Sequence, residues 1–160
     1  MDHLWSPWRM KYIRQHDPAE RCVFCSALEK EDGVENLILR RGESAFVILN
    51  RYPYTSGHVM VVPFAHISTM DELEDCCMSE IMELIRQSIR AINQVYKPEG
   101  YNVGVNLGAV AGAGIANHLH FHVVPRWGGD TNFMTSVANA RVLPEDLCET
   151  LQRLKDAWPK

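Results

Sequence analysis

The chain is expected to fold as an α+β domain around a mostly antiparallel five-stranded sheet, with one long helix and a second helix near the C-terminus. Three observations predict this. Short apolar or alternating runs cluster at 36–63 and again at 101–124. One long helical pattern separates the two clusters. Leu147, Leu151, Leu154 and Trp158 then line one side of a final helix. The 160 residues suffice for one domain with a real core, and 46% hydrophobic with 22% charged residues excludes disordered and fibrous classes.

The elements follow in order. Residues 1–16 form an aromatic, basic arm carrying Trp5, Trp8, Arg9, Lys11 and Arg14. Pro7 interrupts it, allowing at most a short helix afterwards. With no apolar h-region it does not read as a signal peptide. Residues 17–160 are read as a single domain. Cys22-Val-Phe-Cys25 opens a short helix through Glu29. Asn36–Arg41 and Ala45–Asn50 make a hairpin. Pro53 and Gly57 mark a turn before His58–Pro63, a buried-strand pattern ended by proline.

Thr69 and Glu72 suggest a capping box for a helix from about Met70 to Tyr96. Leu73, Cys77, Ile81, Leu84, Ile85, Ile89, Ile92 and Tyr96 keep helical spacing, and Pro98 with Gly100 ends it. Tyr101, Val103, Val105 and Leu107 alternate with Asn102, Gly104 and Asn106, which predicts a half-buried strand. Gly108–Gly114 is a loop, and His118–Val124 is a second alternating strand ending at Pro125. Gly128–Arg141 is irregular, a candidate for ligand or partner contact. Pro144 suits the first turn of the final helix.

Charge and cysteines bound the function. The net charge is −4 and no dense basic block exists, which argues against binding a long nucleic-acid backbone. A small anionic ligand stays compatible, because local donors can hold it. No run of about 18 apolar residues predicts a membrane span. Five cysteines, with Cys76 and Cys77 adjacent, do not make a disulfide framework and point to a reducing cytoplasm. Cys76, Cys77 and Cys148 fall on predicted helices as packing residues. His3 and His16 belong to no constellation.

The informative feature is a row of histidines. Side chains alternate along a strand, so His118, His120 and His122 share one face and Leu119, Phe121 and Val123 the other. Apolar packing does not reward three imidazoles in a row. Two chemistries compete: a metal site on the three imidazoles, or nucleophilic and acid–base work on a phosphate. The loop Gly108-Ala-Val-Ala-Gly-Ala-Gly114 favours the second, since glycine-rich backbone can cradle phosphate oxygens. Cys22-x-x-Cys25 has the spacing for two thiolates on one zinc ion, and equally for a redox pair.

His118-Leu-His120-Phe-His122-Val-Val resembles the histidine triad (HIT) motif, His-φ-His-φ-His-φ-φ with φ apolar. Leu49-Asn50, Ser56-Gly-His58-Val-Met-Val-Val-Pro63 and Asn106 are similar to the same family. Leu4-Trp-Ser-Pro-Trp-Arg-Met-Lys-Tyr-Ile13 and the run from His122 through Trp127 to Met134 resemble its bacterial branch, which includes diadenosine tetraphosphate phosphorylases and is related to fragile histidine triad hydrolases.

The resemblance implies a HIT-like fold and a nucleotidyl hydrolase or transferase acting on dinucleoside polyphosphates. His120 would attack the α-phosphorus and carry the nucleotidyl group. His122 would bind the phosphate oxygens, and His118 would support the site. Loop amides at Ala113 and Gly114, with Asn106, would stabilise charge on the non-bridging oxygens, and Trp127 is a further substrate-binding candidate. Asn50 aligns with the ribose-binding position, and Ile48, Met60 and Phe24 are candidates for the base pocket or for plain core. No obligatory magnesium is implied. Bacterial relatives complete a zinc site with two histidines, which map to His66 and His118 beside Cys22 and Cys25. Family members pair as homodimers through the long helix and the neighbouring strand.

The chain departs from the phosphorylase pattern at Ala113-Gly114, where Gly-Ser is usual, and at Asn117, where aspartate is usual. The first departure removes a hydroxyl that could place the acceptor, so water and orthophosphate both remain open, as does a phosphoramidate substrate. Two other classes are weighed: a three-histidine metalloenzyme and a non-catalytic nucleotide-binding protein.

Overall fold

A computed structural model describes residues 21–130 and 145–159. The arm at 1–16, Pro144, and residues 131–141 of the irregular segment lie outside the described residues. Among the described residues nine elements follow in order: α1 (Val23–Leu28), β1 (Ile38–Arg41), β2 (Ala45–Leu49), β3 (Val59–Pro63), α2 (Asp75–Tyr96), β4 (Gly100–Val105), a 3₁₀ turn (Ala109–Ala111), β5 (Phe121–Arg126) and α3 (Leu147–Asp156). The five strands form one antiparallel sheet in the order β1-β2-β3-β5-β4. The predicted α+β class and strand count hold.

Register separates the two faces of the sheet. Ile48 pairs with Met60, Met60 with His122, and His122 with Gly104, so one row crosses four strands. Side chains directly opposite share a face, so this row forms the floor of the site. The flanking rows point the other way: Val47, Val61, Phe121 and Val105, then Leu49, Val59, Val123 and Val103. Helix α2 covers that face with Cys77, Ile81, Leu84, Ile85 and Ile92, all buried. Edge strand β4 is less buried than its alternation suggests, and Val103 is 46% exposed.

Three boundaries differ from expectation. Helix α2 starts at Asp75 rather than Met70, capped by Glu74 in an extended conformation. Thr69 Oγ1 donates to the Glu72 carboxylate at 3.0 Å, within a separate turn closed by Leu73 N–H on the Met70 carbonyl. That turn does not continue into the helix because Glu74 (φ −70°, ψ 146°) breaks it. Strand β5 begins at Phe121, so His118 and His120 precede it, and it runs through Pro125 to Arg126. Proline is tolerated inside this inner strand because the ladder with β3 ends at Val59–Val123. The Pro125 carbonyl accepts from Thr55 Oγ1 at 2.8 Å instead.

Two buried polar groups hold the periphery. Asn36 accepts from Gly33 N–H and Ile38 N–H and donates to the Ala27 and Lys30 carbonyls and to Asp32. These bonds fasten the end of α1 and support Leu37 at φ 61°, a conformation unfavourable for leucine. Glu145 joins α2 to α3, accepting from the Tyr96 hydroxyl, Thr150 Oγ1 and Arg153. Burial pushes the Glu145 carboxyl up, but those donors outweigh it and hold it below its ordinary 4.5. Its folded value is therefore below its unfolded one, so its contribution is present above about pH 4.5 and lost as pH falls further. Glu145→Gln is expected to cost about 1–3 kcal/mol near pH 7. Urea unfolding should show the gap from the parent shrinking below pH 4.

Candidate functional site

The site is built where the His118–His122 segment meets β3, α1 and the glycine loop. The His120 and His122 ring centroids are 4.9 Å apart, and the Phe24 ring of α1 packs on His118 at 5.3 Å and on His120 at 5.2 Å. Leu119, Phe121 and Val123 are buried on the opposite side, as the alternation predicts.

Hydrogen bonds assign the ring protons. His120 Nδ1 lies 2.8 Å from the His118 carbonyl, which can only accept. The proton therefore sits on Nδ1, and Nε2 keeps the lone pair of the neutral ring. His58 Nδ1 accepts the backbone N–H of Tyr54 at 3.1 Å, so its proton sits on Nε2. His58 Nε2 then donates to His122 Nδ1 at 3.0 Å, which leaves the proton of His122 on its own Nε2. In the neutral tautomers that these bonds select, a nucleophilic nitrogen on His120 and an N–H donor on His122 stand side by side. The Tyr54 ring lies over the pair, with centroids 4.7 Å from His58 and 6.1 Å from His122.

His58 was not singled out by sequence reading. It is 1% exposed and immediately precedes β3. The register reveals it: a histidine two residues before Met60, whose partner is His122, is a diagonal neighbour of His122 on the same face.

The cleft has two adjoining chambers. The larger, about 500 Å³, is lined by Phe24, Leu37, Ile48, Asn50, Met60 and Ile115, with Arg21, Lys30 and Arg51 at its edge. The smaller, about 70 Å³, is lined by His120, His122, Gly114 and Tyr54 and shares Asn50, Tyr52, Met60 and Ile115 with the larger. Phe24, Ile48, Asn50 and Gly114 are therefore brought together along one cleft. Leu37 and Ile115 were not anticipated; neither lies in a motif.

Three other candidates sit differently. Ala113 is buried and its N–H is taken by the Gly108 carbonyl at 3.2 Å. Asn106 donates to the Gly112 carbonyl at 3.4 Å, bracing the loop. The loop can turn this tightly because Gly108 and Gly112 take φ of 81° and 95°. Trp127 follows β5 in a turn closed by Asp130 and lies outside the lining of both chambers.

Cys22, Cys25, His66 and His118 converge, with one ligand atom from each lying within 4.8 Å of the others. Cys22 Sγ is 3.2 Å and Cys25 Sγ 3.7 Å from His118 Nδ1, and Cys25 Sγ is 3.3 Å from His66 Nδ1. Sulfur and nitrogen ligands on one tetrahedral zinc ion stand about 3.6 Å apart, so the donor set fits that metal. His118 Nε2 donates to the Pro63 carbonyl at 2.9 Å, which turns Nδ1 toward the thiols as a metal ligand requires.

The thiols also fit. Burial raises Cys22, but the His118 ring and the N–H groups of Cys25 and Phe24 outweigh it and bring it down to about 6. Cys25 is pushed up by burial and by the charge of Cys22. A second thiolate beside the first is costly without a cation, and a divalent ion removes that conflict. Among the described residues, His120 and His122 belong to no metal-binding group, which counts against a single ion on all three triad histidines.

Residues 33–129 match the profile of the HIT domain family. The chain belongs to the HIT family. An AP-4-A phosphorylase of Mycobacterium tuberculosis is 39% identical across the whole of this chain and 86% of its own length. An adenosine 5′-monophosphoramidase of Schizosaccharomyces pombe is 27% identical over 79% of this chain and 90% of its own. The HIT fold here is similar to a Zn-bound histidine triad family protein from Mycobacterium smegmatis, with a TM-score of 0.68 and 27% identity. That match covers 85% of this chain and 91% of the other. Among the described residues, no helix of this HIT protein is long and apolar enough to cross a membrane.

Proposed function

We propose that this HIT protein cleaves the phosphoanhydride of a dinucleoside polyphosphate such as diadenosine tetraphosphate, through a nucleotidyl group carried on His120. The observation that carries the reading is the contact of His120 Nδ1 with the His118 carbonyl, which leaves Nε2 as the nucleophilic nitrogen of a neutral ring beside His122. The M. tuberculosis relative supports the substrate class.

The base enters the larger chamber among Phe24, Ile48 and Met60, and Asn50 meets the ribose where the chambers join. His120 Nε2 attacks the α-phosphorus. A P–N bond forms, the bridging P–O bond breaks, and its electron pair leaves with the departing nucleotide. His122 Nε2–H and the Gly114 segment stabilise the non-bridging oxygens. In the second step an acceptor oxygen attacks phosphorus, and the P–N electrons return to His120. Asn106 and Ala113 act by holding the loop in shape. Magnesium is not required in this reading.

Incubation with diadenosine tetraphosphate, with and without orthophosphate, tests the reading. Water as acceptor gives AMP and ATP; phosphate gives ADP and ATP. Absence of both product pairs would sink it. Ala113-Gly114, lacking the usual hydroxyl, favours water. Phosphoramidate cleavage is a second reading, supported by the S. pombe relative.

His58 serves as a positioning residue that sets the tautomer of His122. His58→Leu is expected to lower kcat by about 10²-fold or more, as when other groups that orient a catalytic imidazole are removed, with KM little changed. Steady-state kinetics check this.

Zinc at Cys22, Cys25, His66 and His118 is proposed as a structural ion that ties α1 to the triad segment. We also propose residues 1–16 as an arm on a single domain at 17–160, and a homodimer through α2 and β4, whose outer edge carries exposed Val103. The cytoplasm is the proposed compartment, with the five cysteines unpaired.

A further inference from the structure

We propose that Cys22 and Cys25 form a thiol–disulfide switch that controls nucleotide affinity: the reduced, metal-holding pair builds one wall of the nucleoside chamber, and oxidation takes that wall down. This rests on the reading of the cleft as a nucleotide site.

The wall and the thiols occupy the same short stretch of chain. Arg21, Val23, Phe24, Ser26, Ala27 and Lys30 line the larger chamber, and all lie in or beside α1. Cys22 caps this helix and Cys25 lies in its first turn. A helix of six residues is too short to persist unaided, because its nucleation cost is met by few hydrogen bonds. It depends on tethers at both ends. Asn36 and Arg41 hold the carbonyls of Ala27, Leu28 and Lys30 at the C-terminal end. At the N-terminal end the described side-chain tethers to the body of the domain are the two thiols on His66 and His118, since the exposed Arg21–Glu29 pair only joins the helix's own ends.

Phe24 is the transmitting residue. It sits between the cysteines in sequence, is 2% exposed, and touches the rings of His118 and His120 while lining the chamber. Two sulfurs on one tetrahedral zinc ion stand about 3.8 Å apart. A disulfide brings them to about 2.05 Å with a dihedral near 90°. Closing that gap pulls both sulfurs off His118 and His66 and turns the first turn of α1. Phe24 cannot keep its place against His120 through that rotation, so the chamber loses its wall.

The thiols are within reach of an oxidant. Neither cysteine is fully buried, and His66 beside them is exposed. A peroxide is the co-reactant. One thiolate attacks a peroxide oxygen and the O–O bond breaks, leaving a sulfenic acid and hydroxide. The second thiolate attacks that sulfur and expels another hydroxide, forming the S–S bond. Two protons convert the hydroxides to water. The thiolates lose two electrons, the peroxide gains them, and the metal ion departs into solution. A dithiol reductant with added zinc reverses the change.

The test uses the full chain loaded with zinc, with exposed Cys76 and Cys148 replaced by serine so that they do not consume oxidant. Hydrogen peroxide is titrated in while thiol loss, released zinc and AMP affinity by calorimetry are followed. The expected result is two thiols lost and one zinc released per chain, with the AMP Kd weakened at least about 10-fold, or about 1.4 kcal/mol. Dithiothreitol with zinc should restore it. Hydrogen exchange of the Val23–Leu28 amides should rise in step. A Cys22→Ser/Cys25→Ser chain should show no peroxide response. Zinc release with an unchanged AMP Kd overturns the switch and leaves the nucleotide reading standing. Failure of the reduced, zinc-loaded protein to bind AMP at all overturns both.

Discussion

Replacing His120 with alanine is expected to lower turnover of diadenosine tetraphosphate by at least about 10⁴-fold, the scale on which removing a covalent nucleophile acts in other enzymes. The reason is local. The His118 carbonyl fixes the Nδ1 proton of His120, so the ring presents one nitrogen and one lone pair. Among the described residues no neighbour duplicates it: His122 carries its proton on the equivalent nitrogen because His58 donates to its Nδ1. The base chamber is lined chiefly by other residues, so AMP affinity should change only a few-fold. Pre-steady-state kinetics should lose the burst of first product. Retained turnover with an intact burst would move the nucleophile elsewhere.

Removing the metal should have the second large effect. A site filled at about 1,000 times its Kd adds about 4 kcal/mol to stability. For a domain of this size that corresponds to about 8–16 °C in Tm. Chelation, or Cys22→Ala with Cys25→Ala, should produce this loss together with loss of bound zinc. The sign with pH follows from Cys22. Its thiol falls from 9.0 to about 6 on folding, so the thiolate's contribution is complete above pH 9 and gone below about 6. A metal ligand must also be deprotonated, so zinc stabilisation fades in the same direction. Calorimetric scans at pH 7.5 and 5.5, with and without chelator, check this. An equal Tm with and without zinc at pH 7.5 would contradict it.

The fold class was legible because the chain alternates in short runs and changes period at one long helix. The metal set was legible through resemblance to the family, since Cys22 and Cys25 are separated by 41 residues from His66 at the nearer cysteine and nothing local joins them. What the sequence concealed was register and hydrogen-bond direction. His58 became visible only once Met60 was seen opposite His122. The Ala113 N–H closes the loop on Gly108, a choice made by backbone turns that composition does not encode. Trp127 matched a motif, but its N–H is held by the Asp130 carboxylate and it lines neither chamber. The Thr69–Glu72 pair has the spacing of a helix start, and Glu74 shows that a cap-like pair can close a turn of its own.

The central claim is that phosphorus is attacked twice, first by His120 and then by the acceptor. Each in-line displacement inverts configuration at phosphorus, so two give net retention. The direct measurement is the stereochemical course of cleavage of a dinucleoside polyphosphate made chiral at the α-phosphorus with sulfur and oxygen isotopes. Retention is the predicted result. Inversion would mean a single direct attack by the acceptor and would contradict the nucleotidyl-His120 account.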